Sequence, residues 1–189
     1  MQDGSSAALA VHPDRVRAAY DPRLSDATVS RLLSCRRSRD RIESAVSVGA
    51  SAAEAPPDGY AWLLDDPAGA ARRAGAGLHA RALRNVLSGP QVAALIQAIG
   101  REAHAFGLRH AAEAAPRALD GELAEAILRD GFACLAVWLA TQPAALRAAV
   151  LLRLPPGTPA EAETADAEIS RRADALMARV RDTASANDV

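Results

Sequence analysis

The chain has 189 residues, half of them hydrophobic but only 3% aromatic, with 22 basic residues against 23 acidic ones and a formal net charge of −1. That length holds one domain with a real core, and the near-zero charge gives no global pull toward nucleic acid or an anionic membrane. Cys35 and Cys134 stand far apart with no CxxC, so neither a zinc ribbon nor a disulfide framework is indicated.

Much of the apolar content is alanine, so the core must be built from Leu, Ile, Val and closely approaching Ala faces, which suits helices and not sheets. Every basic residue is arginine, in keeping with a GC-rich bacterial genome. No stretch alternates cleanly, and no repeat of solenoid length is present. The predicted fold is all-α: a single compact multi-helix domain around a central buried helical hairpin, with an N-terminal helical arm.

In chain order, residues 1–26 are expected to be disordered or extended, with turn formers at His12-Pro13-Asp14 and Tyr20-Asp21-Pro22. Residues 27–59 form an N-terminal helix and connector. Ser25 or Asp26 caps the helix, predicted over 27–48, with Leu32, Cys35, Ile42 and Val46 at core spacing and Arg39 interrupting them. Arg36, Arg37, Arg39 and Arg41 crowd its middle, either as a solvated face or as a docking surface for an acidic partner. The connector GASAAEAPPDG follows. Residues 60–185 make the main helical body, opening on the apolar Tyr60, Trp62, Leu63 and Leu64.

Asp66-Pro67 starts a helix to about residue 87, with Ala71, Gly75, Leu78, Ala82 and Val86 on one stripe. Its glycines, Gly69, Gly75 and Gly77, each cost up to ~1 kcal/mol of helix stability; close approach of another helix would explain them. Ser88-Gly89-Pro90 restarts the chain, and a stripe from Val92 through Ile99 and Phe106 predicts one helix ending before Pro116. Asp120 can cap the next. The stretch from Ile127 to Pro155 is the expected centre: Phe132 to Ala140 carries no charge, Trp138 and Cys134 lie inside it, and Pro143 divides it into two helices. Thr158-Pro159-Ala160-Glu161 has the form of a capping box for the last helix. That helix has its acids early and its arginines late, as the dipole favours. The apolar run falls short of the ~20 residues of a membrane span. No charged-then-apolar leader is present, so the expected location is the cytoplasm.

Candidate chemistry is sparse. Gly75-Ala76-Gly77-Leu78-His79-Ala80 has the letters of a dinucleotide turn but follows helix-like sequence, where that turn requires a preceding strand. His79, His104 and His110, even with Glu102 and Glu113, complete no metal set, and His104 and His110 fall on different helix faces. Cys134 in FACLAVWLA lacks the electropositive setting that makes a thiolate. With no GxSxG and no P-loop, neither an enzyme nor a cofactor is expected. The arginine helix could belong to a small helical DNA-binding regulator. Against that, Asp40 and Glu43 interleave its arginines, no second helix follows at a short turn, and aromatic platforms are absent.

Two segments carry a resemblance. They hold Gly77-Leu78-His79 leading into Ala82-Leu83-Arg84, then Gly131 before Trp138-Leu139-Ala140, Gln142-Pro143 and the closing Leu152-Arg153-Leu154-Pro155. In this order and spacing they resemble the SctK (YscK, PscK) family of bacterial type III secretion proteins, over somewhat under half the chain. The N-terminal part fits only loosely, so the family's partner surface there is not carried over. The resemblance implies a non-catalytic cytoplasmic accessory protein of the injectisome sorting platform, peripheral to the inner membrane. It would link the cytoplasmic domain of the inner-membrane ring protein (SctD) to the pod protein (SctQ), and through that to the stator (SctL) and export ATPase (SctN). Leu78, Trp138, Leu139, Leu152, Leu154 and Pro155 then read as architecture. Arg36, Arg37, Arg39 and Arg41 are the residues of a candidate partner contact.

Overall fold

The computed structural model describes residues 11–46, 57–162 and 165–186. The expectations for the first ten residues and for most of the connector lie outside these. Among the described residues there is no strand, and the fold is all-α as the composition demands. The helices are α1 (Pro13–Ala19), α2 (Asp26–Ser34), α3 (Arg36–Val46), α4 (Ala61–Asp65), α5 (Pro67–Leu78) and α6 (Ala80–Arg84). They continue with α7 (Gly89–Ile99), α8 (Arg101–His110), α9 (Leu123–Ala140), α10 (Ala144–Leu152), a 3-10 turn at Pro159–Glu161, and α11 (Ala167–Ala186).

Short polar side chains set several starts. Ser25 accepts from the Thr28 amide at 3.3 Å and Asp66 from the Gly69 amide at 2.8 Å, as expected of caps. Three helices predicted as continuous are each divided, at Cys35, at His79 and at Gly100. Gly100 has φ +90°, a conformation that ends a helix and suits only glycine. Two expected caps do not form. Glu122, not Asp120, stands at the N-cap of α9, without a side-chain bond. Thr158 opens only the 3-10 turn, and its buried hydroxyl has no protein partner. The last helix begins instead where Asp166 accepts from the Ile169 amide at 2.8 Å.

The chain forms two units, Met1–Tyr60 with Pro143–Gly157, and Ala61–Gln142 with Thr158–Val189. The expected central stretch is therefore shared between two cores: α9 belongs to the larger unit and α10 to the smaller. In the smaller unit Val11, Val16, Val29 and Ile42 pack with Leu152 of α10, and Leu24, Leu32 and Leu33 close over them. The two segments are stitched by the His12 amide donating to the Leu152 carbonyl at 2.8 Å. Buried Arg15 donates through Nε to the Leu154 carbonyl at 2.7 Å.

In the larger unit α5 and α9 make the closest pair. A Cβ on Gly75 would stand 1.9 Å from the Ile127 carbonyl oxygen, and one on Gly131 would stand 2.2 Å from that of Ala71. Of the glycines predicted to admit another helix, Gly75 does so backbone against backbone, whereas the space beside Gly69 is taken by the side chain of its own cap, Asp66. Phe106 of α8 and Leu176 of α11 reach Gly77, and Leu63, Leu78, Leu135, Leu139 and Met177 are fully buried. Trp138 departs from expectation. It is half-buried, its ring 6.3 Å from that of Trp62 and inclined at 59°, because the buried face of α9 runs through Ile127, Gly131, Cys134 and Leu135. No helix among the described residues is long and apolar enough to cross a membrane.

Candidate functional site

One buried polar constellation stands inside the larger unit. Asp130 of α9 is 4% exposed, in the middle of an otherwise apolar face. Its Oδ2 meets His79 Nε2 at 2.9 Å and the Arg117 guanidinium at 3.0 Å, and its Oδ1 takes Arg129 Nε at 3.0 Å. Arg117 lies in the irregular segment between α8 and α9, and it also holds Glu168 at 2.9 Å and Asp166. Burial opposes ionisation of Asp130, but the bonds from His79, Arg129 and Arg117 hold its carboxyl below the usual range. Burial of the imidazole lowers the His79 pKa against the pull of Asp130. A protonated His79 would be a third cation on one carboxylate. Its Nδ1 is buried with no protein partner, so a proton added there would be stranded.

His79 and Asp130 have the composition of a catalytic dyad, but their geometry is that of a tie. The cluster joins the α5–α6 junction, α9, the segment before it, and Asp166 and Glu168 at the start of α11. The sequence offers His79 as a metal candidate and within a dinucleotide-like turn, and nothing around it points to Asp130 or Arg117 as its partners. The signal was a lone acid on the buried stripe of an apolar helix, which demands a cationic partner.

The other candidates are dispersed. Glu102 pairs with Arg73 at 2.8 Å, Glu113 with Arg179 at 3.0 Å, and the His110 ring packs on Phe106 at 4.5 Å. Among the described residues no group of His, Cys, Asp and Glu could hold a metal. Gly75 and Gly77 are consumed by helix packing. Cys134 is fully buried and its thiol is pushed up to about 12 by that burial. Cys35 is exposed, and hydrogen bonds from Ser38 hold its thiol below the ordinary value.

The arginine cluster sits differently from expectation. It opens α3 instead of occupying the middle of a longer helix, and no acid occupies that first turn. Arg36, Arg37 and Arg41 are exposed and Arg39 is half-buried. Beside them the smaller unit has an apolar cleft of about 340 Å³ formed by Tyr20, Leu24, Leu32 and Ile42, with Arg41, Ser38 and Asp21 at its edge. The larger unit carries its own groove of about 600 Å³, floored by Ala82, Val86, Leu95, Leu119 and Leu123. Leu119 is 47% exposed, and Leu87, next to Val86, is 89% exposed.

No family model matches the chain, and no solved structure does. Two curated relatives match, the nodulation protein NolU of Rhizobium fredii and that of Sinorhizobium fredii (strain NBRC 101917 / NGR234). Each is 41% identical over 165 residues, covering 83% of this chain and 76% of the relative. At that identity and coverage the chain belongs to the NolU family of nodulation proteins.

Proposed function

We propose that this protein is a non-enzymatic adaptor of a bacterial type III secretion sorting platform. It holds the cytoplasmic domain of the inner-membrane ring protein (SctD) to the pod protein (SctQ), on the cytoplasmic side of the inner membrane. The observation that carries the reading is the pair of open, apolar-floored grooves, one on each unit. Apolar surface left open beside polar rims marks protein contact, and an adaptor needs two such places. The resemblance to the SctK family supports the same reading. Its shared residues serve packing: Leu78, Leu139, Leu152 and Leu154 are buried, and Gly131 admits α5. The stator (SctL) and export ATPase (SctN) would be reached through the pod protein.

The test is reconstitution from purified components. The full chain should bind the ring protein's cytoplasmic domain and the pod protein separately, and should bring both into one complex that the two do not form alone. Failure to bind either removes the adaptor role. Exposure of Arg36, Arg37 and Arg41 on one helix leaves a second reading, a DNA-binding regulator. A steeply salt-dependent mobility shift on duplex DNA would favour it.

A further inference from the structure

The geometry points to the cleft of the smaller unit as the seat of an acidic amphipathic helix supplied by a partner protein. The inference rests on the adaptor reading and specifies the surface and the chemistry of one of its two contacts. The cleft is floored by Tyr20, Leu24, Leu32 and Ile42 and holds about 340 Å³. That is room for roughly two or three apolar side chains, as helix-in-groove recognition uses at i, i+3 and i+4. Tyr20 is 53% exposed, so the floor is open to an incoming chain.

The charge around this floor selects the partner's sign. Residues 11–46 contain eight arginines against five acidic residues. Arg17 engages two of those acids, Asp14 and Asp26. Asp21, at the cleft edge, accepts from the Arg23 amide at 2.9 Å. The first turn of α3 has no acid, although a helix N-terminus is already positive and arginines there are disfavoured. Asp40 and Glu43 come later in α3, and an anionic group from outside adds to their relief of that repulsion.

Helical spacing then sorts the four arginines. Ser38, Arg41 and Ile42 share the cleft-facing side of α3. Arg37, one turn before Arg41, flanks that side. Arg36 falls on the opposite face and Arg39 on the far flank, beyond Ile42. The fitting partner places apolar residues on the floor and carboxylates toward Arg41 and Arg37. A nucleic acid backbone uses the arginines but has nothing to put against the floor.

The experiment titrates the full chain against two probes, the purified pod protein and the purified cytoplasmic domain of the ring protein, at low and physiological salt, with a random-sequence DNA duplex as a third. Arg41→Glu and Tyr20→Asp should each weaken one of the two protein probes about ten-fold or more, with the other unchanged. Arg37→Glu should weaken the same probe less, and Arg36→Glu should leave it unaffected. Raising salt should weaken the wild-type contact. Arg41→Glu and Arg36→Glu are both exposed and are compared at matched circular dichroism melts, so folding cannot separate them. Equal losses for both would overturn the cleft in favour of a diffuse basic face. Undiminished binding of both probes by Arg41→Glu and Tyr20→Asp would overturn it while leaving the adaptor standing. DNA binding that Arg41→Glu abolishes would overturn it in favour of the nucleic-acid reading. Wild-type protein that binds neither probe would remove the adaptor role itself, and the cleft proposal with it.

Discussion

Cys35 and Cys134 show how far one functional group is set by its surroundings. Burial pushes the Cys134 thiol up to about 12, while Ser38 lowers that of exposed Cys35. Iodoacetamide at pH 8 should therefore modify Cys35 alone, and Cys134 only after denaturation, as peptide mass spectrometry would show; early alkylation of Cys134 would contradict its burial. Asp130 poses the opposite case, a charge kept inside by its partners. Asp130→Ala leaves Arg117 and His79 without their carboxylate and should cost about 3–5 kcal/mol in urea unfolding. The pH dependence has one sign. His79 is neutral in the fold below its ordinary pKa, so the unfolded chain takes up its proton first and stability falls as pH drops below about 6.5. Asp130 and Asp166 are held below the carboxylate range, so their stabilisation is complete above about pH 4 and is lost on further acidification. Burial lowers His12 and His110 as well, so the wild type must be compared with His79→Gln. The variant should lose less melting temperature between pH 7 and 5, and equal losses would refute the assignment.

At the scale of the element, glycine and helix propensity compete. Gly131→Ala should gain up to ~1 kcal/mol of propensity, yet its methyl would stand 2.2 Å from the Ala71 carbonyl oxygen. Backbone oxygen inside a helix cannot move aside, so the clash wins. The net loss should be about 2 kcal/mol or more by thermal unfolding. Gly89→Ala, with nothing within 4 Å, is the control and should be neutral or mildly stabilising. The divided helices teach a related lesson. Apolar periodicity continues across His79 because Leu78 and Leu83, on either side of it, are both fully buried. Periodicity thus reports the buried face without reporting the break. The predicted helix likewise runs through Gly100, whose φ of +90° is a glycine property and ends α7 there.

For the whole molecule, the net charge of −1 conceals a partition. The smaller unit's two segments contain ten arginines against eight acidic residues, and the rest of the chain twelve against fifteen. Units of opposite sign suit partners of different chemistry. The smaller unit is also discontinuous: Leu152 completes a core whose other members lie at 11–42, and Arg15 is satisfied by the Leu154 carbonyl. A fragment of residues 1–60 should therefore be largely unfolded alone, because its short helices lack that core. Circular dichroism at 222 nm checks this, and a fully helical, cooperatively melting fragment would contradict it.

The sequence by itself determined that this protein is all-helical, that Gly75 and Gly77 meet other helices and that Cys134 is interior. Each follows from period, size or polarity of residues close in the chain. It also marked Arg36, Arg37, Arg39 and Arg41 as unusual. Only the tertiary structure decided that Trp138 lies at an edge, that Asp130 gathers His79 and Arg117, that α9 and α10 serve different cores, and that Arg41 borders an apolar cleft. Those are relations between residues 12 to 150 positions apart or across a helix break, and local periodicity carries no record of which distant segment a face will meet.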